Sequence, residues 1–315
     1  MSTDQVSFRG SAIPVGNQGH WGDITSSVDW CELNYMFSQY IAEFWNSTSS
    51  FSMVLVGLFG IVLHYKLLEK RFLLAFFFVS VLGVGSVLFH GSLKHETQML
   101  DELPMLYAAF TTTYILLENN DKPVFGSWLA PSLVAWSIIT SCATFFATGI
   151  WQFLMFHFSF GSAEFFSLYR IYTIYSKWQQ SSNTEDEKVS SSAQLQQQLV
   201  TTGYEKSKAS HIVQTIQQDI KILFKRGMSA YGIGLFVWQF DLRYCELLQV
   251  WWPEWSGLPN PQFHAWWHVC VSTGFYFLIT LSAYDRQITL RKIPTLRWWC
   301  FVVPYVDVQV QDKSS

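Results

Sequence analysis

Charge is what this 315-residue chain has least of: Asp, Glu, Lys and Arg make up only 14% of it. An ordinary soluble domain carries about 25%. The shortfall argues against both a soluble enzyme and a disordered chain. A basic excess is missing too. The net charge is -3 and the pI is near 6.2, so no cationic surface invites nucleic acid. The five cysteines include no CxxC pair, which argues against a zinc ribbon and a dense disulfide scaffold. Residues 1–30 hold no apolar h-region, so no cleavable signal peptide is expected and the first span serves as its own insertion signal. No internal repeat is visible, which argues against a transporter built from paired halves. What the chain does have is apolar surface: 50% hydrophobic and 18% aromatic residues, with a positive mean hydropathy. These numbers describe a membrane protein.

A spanning helix needs about 20 mostly apolar residues. Seven stretches fit: residues 43–65, 71–92, 98–117, 125–147, 150–174, 227–249 and 264–285. Of the 20 Lys and Arg, only Arg9, Lys94 and Arg243 fall on the N-terminal tail and the second, fourth and sixth loops; all others fall on the opposite side. The positive-inside rule then puts the C-terminus in the cytosol and the N-terminus in the lumen or outside. The expected architecture is an all-α, seven-transmembrane helix bundle. Residues 1–42 form its lumenal segment, 43–290 the membrane domain and 291–315 a cytosolic tail. Within the membrane domain, 177–225 is expected as a polar cytosolic loop. Its Gln/Ser-rich part, residues 178–210, is expected to be flexible. Ile212, Val213, Ile216, Ile220 and Leu223 then recur at helical spacing, as a surface helix leading into span six.

Ionisable groups at membrane depth cost several kcal/mol and are functional candidates by default. His264 and His268 form an H-x3-H pair in FHAWWH. Four residues apart on a helix, both imidazoles can reach one metal. His90 ends span two, where span seven begins, so all three fall at one depth in the lumenal leaflet. Three His ligands leave zinc an open fourth position, as catalytic sites do. The plainer account is that each His is merely hydrogen-bonded at an aromatic interface. His157, in span five, is a rival ligand without a partner at helical spacing. His64, at the cytosolic end of span one, needs only an exposed interfacial role. Ser86 lies one turn before His90, and Asp101 begins span three. A carboxylate beside a metal can act as general base and acid, and a hydroxyl can stabilise an oxyanion. Alternatively, Ser86 bonds back to its own helix and Asp101 is a helix-N-terminal charge.

The segment SSVDWCELNYMFSQYIAEFWN offers oxygen donors at Asp29, Glu32, Asn34 and Glu43. Such donors suit Ca²⁺, although from chemistry alone a solvated acidic tail is the simpler account. Cys31 and Cys245, the two cysteines at the lumenal boundary, are expected to pair, since that compartment permits disulfides. The sequon at Asn46 sits inside span one and is expected to be unused.

In order along the chain, DWCELNY, YIAEFWN, LEKRF, GVGSVLFH, LDELPM and FHAWWH resemble the motifs of the alkaline ceramidase family. These are seven-transmembrane zinc amidohydrolases related to the progestin and adipoQ receptors. The resemblance covers about residues 21–175 and 226–295, and the long polar loop looks closer to fungal members. It implies zinc ligands His90, His264 and His268, catalytic roles for Ser86 and Asp101, and a Ca²⁺ site from Asp29, Trp30 (through its backbone carbonyl), Glu32, Asn34 and Glu43. It overturns the solvated-tail account of that loop. Leu33 departs from relatives that often carry a second acid there. The implied activity is hydrolysis of the ceramide amide to a sphingoid base and a fatty acid in endoplasmic reticulum or Golgi membranes. The implied partners are ceramide within the bilayer and membrane lipids. Two rival readings are a related zinc-containing seven-helix hydrolase acting on another lipid, and an adipoQ-type receptor. The acidic loop and the lumenal N-terminus favour the ceramidase group over the receptor.

Overall fold

The computed structural model describes residues 18–120, 122–147, 149–179 and 191–308. Its helices in chain order are α1 (Phe44–Ser49), α2 (Phe51–His64), α3 (Lys70–Ser92), α4 (His95–Leu117), α5 (Leu129–Phe146), α6 (Gly149–Gln179), α7 (Ser191–Thr201), α8 (Lys206–Arg243), α9 (Trp252–Ser256) and α10 (Phe263–Thr289). Each of the seven apolar stretches falls on a helix of this set, α1 and α2 together making the first. Phe44–His64, α3 and Gly126–Phe146 are long and apolar enough to cross a membrane by length and composition alone. The remaining long helices carry the acids and hydroxyls that line the interior, which lowers their hydropathy below that of a lipid-facing span.

The polar run Asn46–Ser50 is accommodated within a helical span because its hydroxyls bond backward. Thr48 Oγ1 donates to the Phe44 carbonyl (2.8 Å) and Ser50 Oγ to that of Asn46 (2.7 Å). Such back-bonding satisfies a hydroxyl in an apolar setting and bends the helix, and here α1 gives way to α2 at Ser50. α3 packs on α4 and on α2, and α8 runs along α10. The α3–α4 approach depends on Gly85. A side chain there would collide with the Leu100 carbonyl and the Asp101 backbone nitrogen. Pro104 is the reason this carbonyl is free: it lies four residues beyond Leu100 inside α4 and has no N–H to offer it.

Three expectations change. The protein is not purely helical: Pro294–Trp299 (β1) and Val303–Val308 (β2) form an antiparallel hairpin. The hairpin joins the main core, with Val306 2% exposed and the Tyr276 hydroxyl donating to the Pro304 carbonyl (2.8 Å). Aromatic and β-branched residues in the two strands, with a turn made by the positive-φ residues Cys300 and Phe301, explain it. Residues 309–315 of the expected tail lie outside the described residues. His64 is not an exposed interfacial group. It is fully buried, donating from Nδ1 to the Gly60 carbonyl (2.9 Å) and accepting at Nε2 from the Val306 N–H (3.1 Å). The stretch expected as a loop carries α7 and the first half of α8. Ile216, Ile220 and Leu223 are core residues of one continuous helix rather than a surface helix before span six. Residues 180–190 lie outside the described residues.

At the end of the molecule that carries the hairpin, Arg286 donates to Glu69 (2.8 and 3.1 Å) and to the Asn120 carbonyl (2.8 Å). Burial would raise Glu69, but the Arg286 and Arg71 guanidiniums outweigh it and hold the carboxyl below its ordinary value.

A buried histidine cluster above an apolar cavity

His90 comes from the last turn of α3; His264 and His268 stand one turn apart at the start of α10. The structure brings all three together. Each is at most 4% exposed, and one ring nitrogen from each lies within 4.8 Å of the others. A buried group of three histidines in this geometry can hold a metal ion.

Surrounding contacts orient each ring. His90 Nδ1 is hydrogen-bonded to Glu43 Oε2 at 2.5 Å, and His268 Nδ1 to Ser49 Oγ at 2.8 Å. The Trp30 indole stacks on His264 with centroids 3.8 Å apart. His90 Nε2 and His264 Nδ1 are buried with no hydrogen-bond partner. Buried imidazole nitrogens without partners cost free energy, so these two fit a cation of borderline softness. His157 is no fourth member: its Nδ1 donates to the Phe153 carbonyl (2.8 Å).

Ser86 and Asp101 meet beside the cluster. Ser86 does not bond back to its own helix; its Oγ lies 3.0 Å from Ser50 Oγ and hydrogen-bonds the Asp101 carboxylate. Nor is Asp101 a helix-N-terminal charge, because α4 begins six residues earlier, at His95. The close α3–α4 approach at Gly85 sets these two side chains face to face. Both line a cavity of about 430 Å³ together with His264, His268 and Trp30, within the usual range for a small-molecule site. Away from the histidines its wall is mostly aromatic and aliphatic.

The acidic segment before α1 is folded, not a solvated tail. Glu32 accepts from the Trp45 (2.7 Å) and Asn46 (2.9 Å) N–H groups, capping α1 from outside the helix. Burial, then repulsion from Glu43, pushes Glu32 up to about 8 against the pull of those N–H groups. Asn34 Nδ2 donates to Asp29 Oδ1 (3.1 Å), while Asn34 Oδ1 is buried without a partner. Glu43 also accepts from the Trp30 N–H (3.1 Å) and from Asn46 Nδ2 (3.0 Å). The latter bond occupies the buried sequon asparagine. Among the described residues, no second group of three or more His, Cys, Asp or Glu gathers as tightly as the histidines. A disulfide joins Cys31 to Cys245, with Cα atoms 5.3 Å apart.

Two links were not read from the sequence. Glu43 entered only as an oxygen donor of the loop, yet it orients His90. Asp241, inside the sixth apolar stretch, is the second: its Oδ2 accepts from the Cys31 N–H and its Oδ1 from the His264 N–H, both at 3.3 Å. It thereby ties the disulfide loop to the first turn of α10. The available signal was an acid inside an apolar stretch; its partners are more than 20 residues away in the chain. Glu43→Gln is expected to weaken the affinity of the histidine cluster for a metal ion about 10–100-fold, as loss of an outer-shell carboxylate does. Competition against a chelator measures it, and unchanged affinity would make the Glu43–His90 bond incidental.

Comparison with known proteins follows the same residues. Alkaline ceramidase 3 of Mus musculus is 29% identical over 308 residues, covering 96% of this chain and 99% of the mouse protein. Alkaline ceramidase YPC1 of Saccharomyces cerevisiae is 29% identical over 295 residues, 89% of this chain and 81% of the yeast protein. An alkaline ceramidase of Arabidopsis thaliana is 26% identical over 299 residues, 93% of this chain and 97% of the plant protein. The family model described as Ceramidase matches residues 22–307, which contain the histidine cluster, the Ser86–Asp101 pair and the acidic loop. The chain therefore belongs to the ceramidase family.

Proposed function

We propose that this chain is a membrane-embedded ceramide amidohydrolase, cleaving the N-acyl bond to release a sphingoid base and a free fatty acid. The observation that carries this reading is a cluster of three buried imidazoles, two of which, His264 and His268, line an apolar cavity together with Ser86 and Asp101. His90, His264 and His268 would hold zinc, whose donor preference matches three imidazoles with two unpartnered nitrogens. When bound there, zinc supplies Lewis acidity toward the amide carbonyl and lowers the pKa of a water to about 7.

The chain's own residues do the rest. Asp101 accepts a proton from the attacking water and returns it to the amine nitrogen as the C–N bond breaks. Once Asp101 carries that proton it no longer needs the Ser86 hydroxyl, which turns to the carbonyl oxygen as negative charge develops there. Ser50 Oγ, 3.0 Å from Ser86 Oγ, helps to fix its position. The aromatic wall takes up a lipid chain and excludes bulk water, which strengthens both interactions.

Calcium is assigned to Asp29, Glu32, Asn34 and Glu43 with the Trp30 carbonyl. Supporting this are the unpartnered Asn34 Oδ1 and the upward displacement of Glu32, which a cation would relieve. Because Glu43 also bonds His90 and Trp30 stacks on His264, this ion would stiffen the metal ligands without touching substrate. The seven long helices are read as seven spans of an endoplasmic reticulum or Golgi membrane, with the N-terminus lumenal. The Cys31–Cys245 disulfide supports that side, since disulfides persist in oxidising compartments. The Lys and Arg asymmetry supports it independently. Under this reading residues 1–42 are lumenal, 43–290 form the membrane domain, and 177–225 and 291–315 are cytosolic.

Purified protein with a panel of defined ceramides, with and without a zinc-selective or a calcium-selective chelator, tests the proposal. Released sphingoid base is expected, abolished by stripping zinc and reduced by stripping calcium. Cleavage of an ester lipid in place of the amide would overturn it.

A further inference from the structure

The C-terminal hairpin has no part in the catalytic scheme, and its place in the fold is unlike that of a free cytosolic tail. After α10 ends at Thr289, the chain turns back and runs alongside that helix. The Tyr284 hydroxyl lies 3.3 Å from the Pro294 carbonyl oxygen, and further along β1 the Trp298 ring meets Phe277 with centroids 6.2 Å apart. Phe277 lies eight residues short of position 285, where the seventh apolar stretch ends, which is roughly 12 Å along the helix axis. A second helix gives a similar depth. Trp299 meets Phe59 of α2 with centroids 5.0 Å apart, and Phe59 lies six residues short of the end of the first stretch, roughly 9 Å. The turn of the hairpin therefore stands within the cytosolic ends of two spans.

What the turn exposes is apolar. Phe301 is 94% exposed, Val302 70% and Trp299 45%, and the Cys300 thiol is exposed beside them. Such a patch marks a contact surface, and at this depth the medium around the bundle is the bilayer. Aromatic and aliphatic groups settle about 5–10 Å into the boundary between headgroups and acyl chains. The strands themselves stay out of the hydrocarbon interior, because a two-stranded sheet has unpaired edges that hydrocarbon does not satisfy. Cations frame the same turn. The Arg226 guanidinium of α8 stands 4.8 Å over the Trp298 ring, with Lys225 next to it in the chain, and both are exposed. Arg297 of β1 is paired with Asp307 (2.8 Å), whereas no described acid forms an ion pair with Lys225 or Arg226.

We propose that the hairpin turn is a lipid-binding element seated in the cytosolic leaflet. Trp299, Phe301 and Val302 enter the acyl boundary, and Lys225 and Arg226 hold the headgroup of an anionic phospholipid beside them. The inference rests on the seven-span reading for depth and side, and not on the metal or on amide hydrolysis. The cytosolic leaflet carries anionic lipids that attract basic residues next to a span, so the charge and the apolar turn call for the same partner.

The test uses the full-length protein with Cys142→Ser and Cys270→Ser, so that one fluorophore sits on Cys300, in nanodiscs of phosphatidylcholine and phosphatidylserine. Bromines on the lipid acyl chains should quench this probe strongly, and aqueous iodide weakly. The same probe placed by Lys292→Cys with Cys300→Ser, at an exposed position before β1, should respond the opposite way. With bromines on one lipid at a time, quenching at Cys300 should show phosphatidylserine enriched about fivefold for each basic residue engaged. Lys225→Gln with Arg226→Gln should bring that enrichment close to one at unchanged Tm, because both side chains are at the surface. A Cys300 probe that behaves like the Lys292→Cys probe would overturn the proposal, as would a wild-type protein without enrichment or an enrichment that survives the double substitution. Should the double variant not fold, Lys225→Gln alone should lower the enrichment about fivefold. A third probe, placed by Val134→Cys on α5 where the side chain is 58% exposed within an apolar stretch, separates this inference from the reading beneath it. Bromine quenching there but not at Cys300 defeats the hairpin proposal alone; quenching at neither defeats the membrane reading and the hairpin proposal together.

Discussion

Replacing His264 with alanine is expected to leave the purified protein without its metal and without measurable ceramide turnover. His264 contributes one of the two buried, unpartnered ring nitrogens, and its partner on the same helix face is His268. Two remaining imidazoles do not close a tetrahedral zinc site. The loss should exceed the 10–100-fold typical of an outer-shell change, so the variant should read as metal-free by elemental analysis. The fold should survive, because the Cys31–Cys245 disulfide and the Glu43–His90 bond do not involve this ring. Retained turnover by a metal-free variant would defeat the proposed chemistry outright.

Asp101→Asn should separate proton transfer from metal binding. Asparagine keeps the shape of the side chain and still accepts from Ser86, but it cannot take a proton from water. The expected result is a fall in kcat of about 10²–10⁴, the usual worth of a general base, with metal content and Tm close to wild type. Metal loss in this variant would instead place Asp101 among the groups that hold the ion. The contrast with His264→Ala is informative because the two residues lie on different helices, α4 and α10, yet border the same cavity.

The pattern of apolar runs located every long helix, because a 20-residue apolar stretch leaves the backbone few alternatives. The H-x3-H pair was equally legible, since helical spacing fixes two imidazoles on one face. His64 was misread because exposure was inferred from position at a helix end. The C-terminal hairpin that buries it pairs His64 with Val306, 242 residues away. Residues 206–223 were misread for a related reason. Their apolar face has the periodicity of a surface helix, and only the core formed by α6 and α10 shows what it packs against.

By itself, the sequence determined the membrane setting, the helices, the two histidines on one face of α10 and the cysteines that pair. Each of these is a local or compositional property. Only the tertiary structure decided that His90 completes the cluster, that Glu43 and Trp30 hold its rings, and that Ser86 faces Asp101. The reason is physical. Helical periodicity fixes which face a residue occupies, but not the rotation and depth at which two helices meet. Those are set by close-approach sites such as Gly85 against Leu100, and by side-chain volumes summed over the whole core.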